Sequence, residues 1–482
     1  MIDVRPIGYV IGLLVLTLGV SMVLPLAVDA FSGNGHSGVF VQSAIVTILA
    51  GGLVALACSN SVGRRLTIPQ TFLLTTGTWL FLPVFGAIPF VLGATDARFV
   101  DAFFEAMSGL TTTGSTVFTG LESLPDGLLL WRAMLQWFGG IGIIVVAMAF
   151  LPELRVGGMQ IFRSEGFDTF GKILPRAGEI ASRISVIYAG LTLLCALAYI
   201  GFGMDAFSAI CHAMTTVATG GFANNDGSFS FFGPGIEYMA VIFMLLAALP
   251  FVRYVQLLAG TAEPLYRDSQ IRVFLMIIAT SAIAIAFWLM LTSDRPGEES
   301  FRKALFNTTS IVTGTGYASA NYSNWGPFPV TLIFFLGLVG GCAGSTSCSI
   351  KVFRWQLLVA SIATQIKRIH SPNGMFQPRY EGRSVGEDVL SSVMAFFVLF
   401  FVSLGVLSIL LGATGLDPLT ATSGAVAALA NIGPGLGPEI GPAGTYKGLS
   451  DTAKWLLAAG MLVGRLELMA VFVIFTAKFW RV

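Results

Sequence analysis

The sequence predicts an all-α polytopic membrane protein. It reads as two N-terminal spans followed by four fused span–half-helix–span repeats with pseudo-fourfold symmetry, giving ten transmembrane helices and four re-entrant half-helices. Three observations carry this prediction. Of 482 residues, 55% are hydrophobic and only 11% charged, with a mean hydropathy of +0.81; a soluble domain carries roughly a quarter of its residues as charges. Apolar runs long enough to cross a hydrocarbon layer of about 30 Å recur along the whole chain. And one short motif is written four times, at intervals close to a quarter of the chain: Thr111-Thr112-Thr113-Gly114, Ala218-Thr219-Gly220-Gly221, Thr313-Gly314-Thr315-Gly316 and Ala430-Asn431-Ile432-Gly433.

The elements follow in order. Spans near 8–30 and 38–60 are joined by a Gly/Ser/Asn turn. The first apolar run exceeds a signal peptide's apolar length and lacks a clear small-residue cleavage site, so it reads as a membrane helix. A triplet then recurs. Its leading spans lie near 69–93, 180–203, 270–293 and 388–412, and its closing spans near 129–151, 236–259, 328–350 and 452–477. Between them stand short segments near 102–112, 206–218, 301–313 and 418–430. A helix of about 12 residues reaches only ~18 Å, half a membrane, so these read as half-helices. Broken backbone at that depth is tolerated only where protein buries it or a wet cavity solvates it. The expected units are 1–66 for the N-terminal spans, then repeats at 67–165, 166–262, 263–368 and 369–482.

Basic residues segregate by side in this topology. Arg5, Arg64, Arg65, Arg155, Arg163, Lys172, Arg176, Arg183, Arg253, Arg267, Arg272, Lys351, Arg354, Lys367, Arg368, Arg379, Arg383, Lys478 and Arg481 fall on one side. The other side holds Arg98, Arg295, Arg302, Lys303, Lys447 and Lys454. The positive-inside rule puts both termini in the cytoplasm, so each repeated loop dips in from outside.

The loops have the chemistry of a cation path. A desolvated monovalent cation needs oxygens to replace its water, and backbone carbonyls supply them without a net charge that would hold it too tightly. Glycine points successive carbonyls at one axis at least cost. Gly114, Gly221, Gly316 and Gly433 hold matching places, preceded by Thr112-Thr113, Thr219-Gly220, Gly314-Thr315 and Asn431-Ile432. Half-helices entering from outside aim their partially negative C-terminal ends at the middle of the path, which favours a cation. The alternative is ordinary Gly/Thr helix contacts or glycine C-caps. Four copies in register, each between two spans, argue for the path.

At these residues the chain resembles the Trk/Ktr/HKT superfamily of potassium transporters, built from four fused span–pore-helix–span units around one axis. Trp137-Phe138-Gly139-Gly140-Ile141-Gly142, Leu151-Pro152 with Gly157-Gly158-Met159-Gln160, and Asn431-Ile432-Gly433-Pro434-Gly435 are similar to the TrkH branch. So are the two extra N-terminal spans. The resemblance covers nearly the whole chain. It implies potassium uptake, with rubidium as a surrogate ion, across a bacterial inner membrane through one central pore. Potassium ions would sit in a backbone-carbonyl filter, with no covalent cofactor. It also implies a homodimer and a cytosolic nucleotide-binding regulatory subunit; anionic lipid is the plainer role for the basic loops 153–183 and 351–387. Nothing points to nucleic acid. The third loop departs from the pattern, with Gly314 where a larger residue is expected, and an added glycine would loosen the cage.

Two further features would tune such a path. The stretch 337–347, with Gly340, Gly341, Gly344 and Ser345, is a poor helix and lacks the Gly-Lys-Ser/Thr ending of a phosphate loop. It reads as an unwound intramembrane loop, the segment that gates transport in this superfamily, or as small residues that permit tight packing. Arg465 lies mid-span, where an arginine is costly and functional by default; its role is a barrier below the ring, a salt bridge with Glu467 or another acid, or both. Arg132, at the outer end of its span, is expected to snorkel to the interface. Asp101, Glu105, Asp205 and Asp417 either gather cations at the mouth or favour helix N-termini.

His36, His212 and His370 are scattered, and the five cysteines read as packing residues without zinc spacing. No enzyme is expected. Sodium- or proton-coupled symport is the first alternative to channel-like permeation, and an organic-solute carrier the second; parallel repeats argue against the latter.

Overall fold

The computed structural model describes residues 2–61, 66–149, 177–293 and 296–481. Arg64, Arg65, Arg155, Arg163, Lys172, Arg176 and Arg295, and the motif at 151–160, lie outside the described residues.

The ten anticipated spans take three forms. Among the described residues seven helices are long and apolar enough to cross a membrane: Arg5–Ser32, Ser37–Ala57, Ile68–Leu92, Asp126–Val146, Ala181–Gly201, Ser269–Thr292 and Glu387–Ala413. Two more are bent pairs, Pro234–Ala247 with Phe251–Leu258 at 87° and Asp451–Arg465 with Met469–Phe475 at 104°. In the third repeat the closing segment is helical only over Pro327–Leu336 before an irregular stretch leads into Val352–His370. The physical reasons are local. Pro250 has no N–H to continue a helix, and the glycines of 337–344 disfavour one. In the last span Glu467 and Leu468 both take positive φ, +57° and +50°.

The four half-helices are Phe99–Leu110, Ala206–Val217, Gly297–Thr313 and Pro418–Leu429. The third is longer than expected, 17 residues, because a polar first turn with Glu298 and Glu299 precedes its buried part. Asp205 caps the second through the Ser208 amide at 2.9 Å. Asp417 caps the fourth through the Leu419 and Thr420 amides, both at 3.0 Å. These two acids therefore serve the helix N-termini.

Burial is arranged from the axis outward. Every residue from Ala102 to Leu110 is buried, as is nearly all of the fourth half-helix. The leading spans show lipid-facing stripes such as Ile283, Phe287 and Leu291 in the third, and Val398, Val402 and Ile409 in the fourth. In its most apolar stretch the first closing span is 67% buried against 28% for the fourth leading span, so the first closing span belongs to the inner wall. The second half-helix packs on the first closing span, the third on the second closing span, and the first on the last closing span. The two N-terminal spans lie flat against each other where Gly12 and Gly51 meet. A Cβ on Gly12 would sit 2.7 Å from the Ala55 nitrogen, an approach that only small residues allow.

Broken backbone at membrane depth is mutually satisfied. The Cys342 amide and the Thr346 hydroxyl donate to the Ala248 and Ala247 carbonyls, both at 3.0 Å, where the second closing helix breaks. In return the Phe251 amide donates to the Gly344 carbonyl at 3.0 Å. Gln270, from the third leading span, accepts from the Ala343 amide at 3.0 Å. The loop and the bend are two halves of one structure, as the low-dielectric surroundings demand.

Candidate cation pathway

Each half-helix ends in the same way. The amides of Thr113, Gly220, Thr315 and Ile432 donate to carbonyls five residues back, Ser108, Thr215, Ser310 and Ala427, at 2.8, 2.8, 2.9 and 3.0 Å. This is the long hydrogen bond of a Schellman cap, which requires a left-handed residue just before the donor. That place is held by Thr112, Thr219, Gly314 and Asn431, with φ of +52°, +50°, +73° and +49°. Gly314 is thus the ordinary cap glycine, sharing the conformation of the other three copies. The threonines and Asn431 adopt it at a strain that asparagine tolerates best. The chain turns left-handed again at Gly114, Gly221, Gly316 and Gly433, with φ of +87°, +80°, +81° and +104°.

These last glycines interlock in a closed cycle. A Cβ on Gly114 would strike the Gly220 carbonyl oxygen, on Gly221 the Thr315 oxygen, and on Gly316 the Ile432 oxygen. On Gly433 it would lie 2.8 Å from the Thr113 oxygen, which returns to the first loop. Each glycine therefore abuts the carbonyl that precedes the glycine of the next loop, in chain order, around one axis. All four also line one outer cavity of about 70 Å³, with Ser115 and Tyr446 among its walls.

Polar side chains buttress the loops from behind. Gln136 donates to the Gly220 carbonyl at 2.6 Å and accepts from the Phe222 amide at 3.0 Å. Asn431 donates to the Thr113 hydroxyl at 2.8 Å and to the Met461 carbonyl at 3.0 Å. The Ser115 and Tyr446 hydroxyls both donate to the Gly433 carbonyl at 2.8 Å.

Inward of the ring lies a second cavity of about 30 Å³, room for little more than a water or two. Gly344, Ser345, Cys348, Lys351, Arg465 and Glu467 line it. Gly340 and Gly341 do not; they shape the loop, where a Cβ on Gly341 would lie 2.8 Å from that of Ser347. Thr112 of the first loop approaches the Cys348 thiol at 3.8 Å, so the ring and the irregular stretch touch.

Arg465 is buried at the end of its helix. Its guanidinium donates to the Gly139 carbonyl at 3.1 Å and the Thr346 carbonyl at 3.4 Å, contacts the Cys348 sulfur, and lies 5.6 Å from the Trp79 ring. Among the described residues no carboxylate pairs with it. Glu467 instead pairs with Arg354, whose guanidinium stands 3.9 Å over Phe396. The alternative of an Arg465–Glu467 bridge gives way to a crossed arrangement: the last closing helix grips the loop through Arg465, and the segment after the loop grips that helix through Arg354.

Chain and structure were compared with known proteins. The family model described as cation transport protein, TrkH, matches residues 36–482. The chain belongs to the TrkH family. Among curated relatives, the Trk system potassium uptake protein TrkI of Halomonas elongata is 42% identical over 99% of this chain and 97% of its own length. The TrkH potassium uptake protein of Escherichia coli is 36% identical, covering 99% of each chain. The crystal structure of the potassium transporter TrkH from Vibrio parahaemolyticus superposes with a TM-score of 0.90 at 33% identity, covering 100% of both chains. The TrkH-family fold, a multi-pass helical membrane protein, is thereby established for this chain.

Within that fold the position of Arg132 corrects the sequence-based expectation. It does not snorkel. It is fully buried and pairs with Glu105 at 2.9 Å. Asp101 likewise pairs with Lys454, at 2.6 Å. His212 is packed, with Nδ1 2.7 Å from the Ser208 carbonyl and Phe229 and Phe232 edge-on to its ring. Gln136 and Gln270 were not legible as site residues in the sequence, and Cys348, expected only to pack, contacts both Thr112 and Arg465. Gln136 and Gln270 stand in apolar spans, where an uncharged polar side chain was the available signal.

Proposed function

We propose that this chain mediates potassium uptake of the Trk type, with the four loops as the selective ring. The observation that carries the reading is the closed cycle in which Gly114, Gly221, Gly316 and Gly433 each abut the carbonyl of the next loop. A cation entering the outer cavity would exchange water for the carbonyls of Thr113, Gly220, Thr315 and Ile432 and neighbouring loop oxygens. The half-helix C-termini add a negative field there, and the uncharged ligands let the ion leave. Below, the loop holding Gly344 and Ser345 constricts the path, and the Arg465 charge, with no carboxylate partner among the described residues, raises a barrier to cations. Movement of this loop away from Arg465 would gate the flow.

The same reading takes the repeats as 67–165, 166–262, 263–368 and 369–482 behind the N-terminal pair at 1–66. Both termini face the cytoplasm of a bacterial inner membrane. It further assigns a homodimer regulated by a cytosolic nucleotide-binding subunit, with anionic lipid at the basic surface.

The test is uptake in a bacterium stripped of its own potassium systems. Expression should restore growth at low potassium and carry rubidium into cells, and Gly114→Ser or Gly316→Ser should shift the preference toward sodium. Wild-type ion ratios in both serine variants would exclude the ring as the selective element.

A further inference from the structure

The buried pair Glu105–Arg132 is bonded to the backbone of two neighbouring loops. The Glu105 carboxylate, wholly buried on the first half-helix, accepts from the Thr116 hydroxyl at 2.9 Å and from the Val117 amide at 2.9 Å. Both follow Gly114 in the first loop. Arg132, on the first closing helix, gives Nε to Glu105 at 2.9 Å, one Nη to the Ala223 carbonyl at 2.8 Å and the other to the Thr116 hydroxyl at 3.3 Å. Ala223 follows Gly221 in the second loop. The guanidinium also lies 4.2 Å from the Phe222 ring centroid, and Arg132 forms part of the outer cavity wall.

Such a pair is a poor source of stability, because desolvating both ions offsets most of their attraction. Its three directed donors and planar acceptor instead fix geometry, which an ammonium cannot reproduce. Comparable buried charges stand at two other seams of the ring. Glu237 of the second closing helix binds Arg302 and Lys303 of the third half-helix at 2.7 and 2.6 Å, and Lys303 also reaches the Ser319 carbonyl at 3.0 Å. Lys454 of the last closing helix binds Asp101 of the first half-helix. Among the described residues, only at the first seam do both partners hold loop atoms within three residues of a ring glycine.

We infer that Glu105 and Arg132 are positioning residues, a charge-neutral clasp that sets the spacing of the first and second loops and so the discrimination between potassium and sodium. The inference rests on the proposed selective ring. The clasp acts in two separable ways: its directed bonds hold the spacing, and its neutrality keeps a net charge off the outer mouth.

The experiment uses the full chain in proteoliposomes, reading the rubidium-to-sodium uptake ratio and the half-saturating rubidium concentration per folded molecule. Arg132→Gln leaves a carboxylate at the mouth and should lower the half-saturating concentration; Glu105→Gln leaves a guanidinium and should raise it. The double variant should return that concentration toward wild type while its ion ratio stays depressed, by about tenfold. Arg132→Lys keeps the charge and loses the fork, so it should depress the ratio alone. If the glutamine variants fail to fold, Arg132→Lys and Thr116→Val, which keep both charges, carry the test. A wild-type ratio in every variant that folds overturns the clasp. Failure of the unmodified chain to take up rubidium, by contrast, would overturn the functional reading itself.

Discussion

One added methyl group has different consequences at two glycines that stand two residues apart, Gly314 and Gly316. At Gly316 a Cβ would overlap the Ile432 carbonyl oxygen, whereas at Gly314 its nearest neighbour is the Cys348 amide nitrogen at 3.4 Å, an ordinary contact. Both positions are left-handed, with φ of +81° and +73°, so alanine adds about 1–2 kcal/mol of backbone strain at either. Gly316→Ala must also push a ring carbonyl aside, an overpacking cost of about 1–3 kcal/mol. That extra cost falls on the atoms proposed to hold the ion. If about 1.4 kcal/mol of it appears as lost preference, the potassium-to-sodium ratio drops tenfold. Gly314→Ala should weaken thermal stability and leave the ratio within about twofold. Gly433→Ala, with 2.8 Å to the Thr113 oxygen, should fall between them. Rubidium and sodium uptake by purified protein, normalised to folded material, reads all three. Equal ratios for Gly314→Ala and Gly316→Ala would refute the interlocked cycle as the origin of selectivity.

Three other outcomes follow from the contacts. Arg465→Ala should raise rubidium flux several-fold without altering the ion ratio, because the barrier and the loop's anchor are removed below the ring; a flux at or below wild type in folded protein would rule this out. Glu467→Gln keeps Arg465 but weakens the grip of Arg354 on the helix break, so its flux should lie between those of Arg465→Ala and wild type, measured in the same vesicles. At the exposed first turn of the third half-helix, the Arg302 guanidinium, with help from the Tyr238 hydroxyl, holds the Glu298 carboxyl below its ordinary value. A carboxylate held low contributes stability that is complete above its unfolded value, about 4.3, and is lost as pH falls through the lower folded value. The melting difference between wild type and Glu298→Gln should therefore persist at neutral pH and vanish in acid. A constant difference across that range would contradict the assignment.

The outline of this fold was legible because a bilayer imposes lengths that hydropathy reports directly. The half-helices were legible because about a dozen apolar residues cannot cross it. The ring glycines could be aligned by register alone. The Schellman geometry could not, since Thr112 and Thr219 occupy a left-handed position that their identities do not advertise, and only Gly314 and, more weakly, Asn431 signal it. The charges were the least legible part. Arg132 finds Glu105 on a different helix, and Glu467 finds Arg354 rather than the arginine two residues away. Long side chains choose partners in three dimensions, and spacing along the chain carries no record of that choice.

The bonds between the 337–351 loop and the bend at Ala247–Ala248 have a thermodynamic corollary. Withdrawing the loop would strip two carbonyls of their donors in a region with no lipid group to replace them, at a cost of about 1–3 kcal/mol for each group left dry. If this loop is the gate, as proposed, opening and flooding are a single event: the loop departs only as water arrives. Osmolytes excluded from the vestibule should disfavour the conducting form, which makes solvent itself a ligand of the open state.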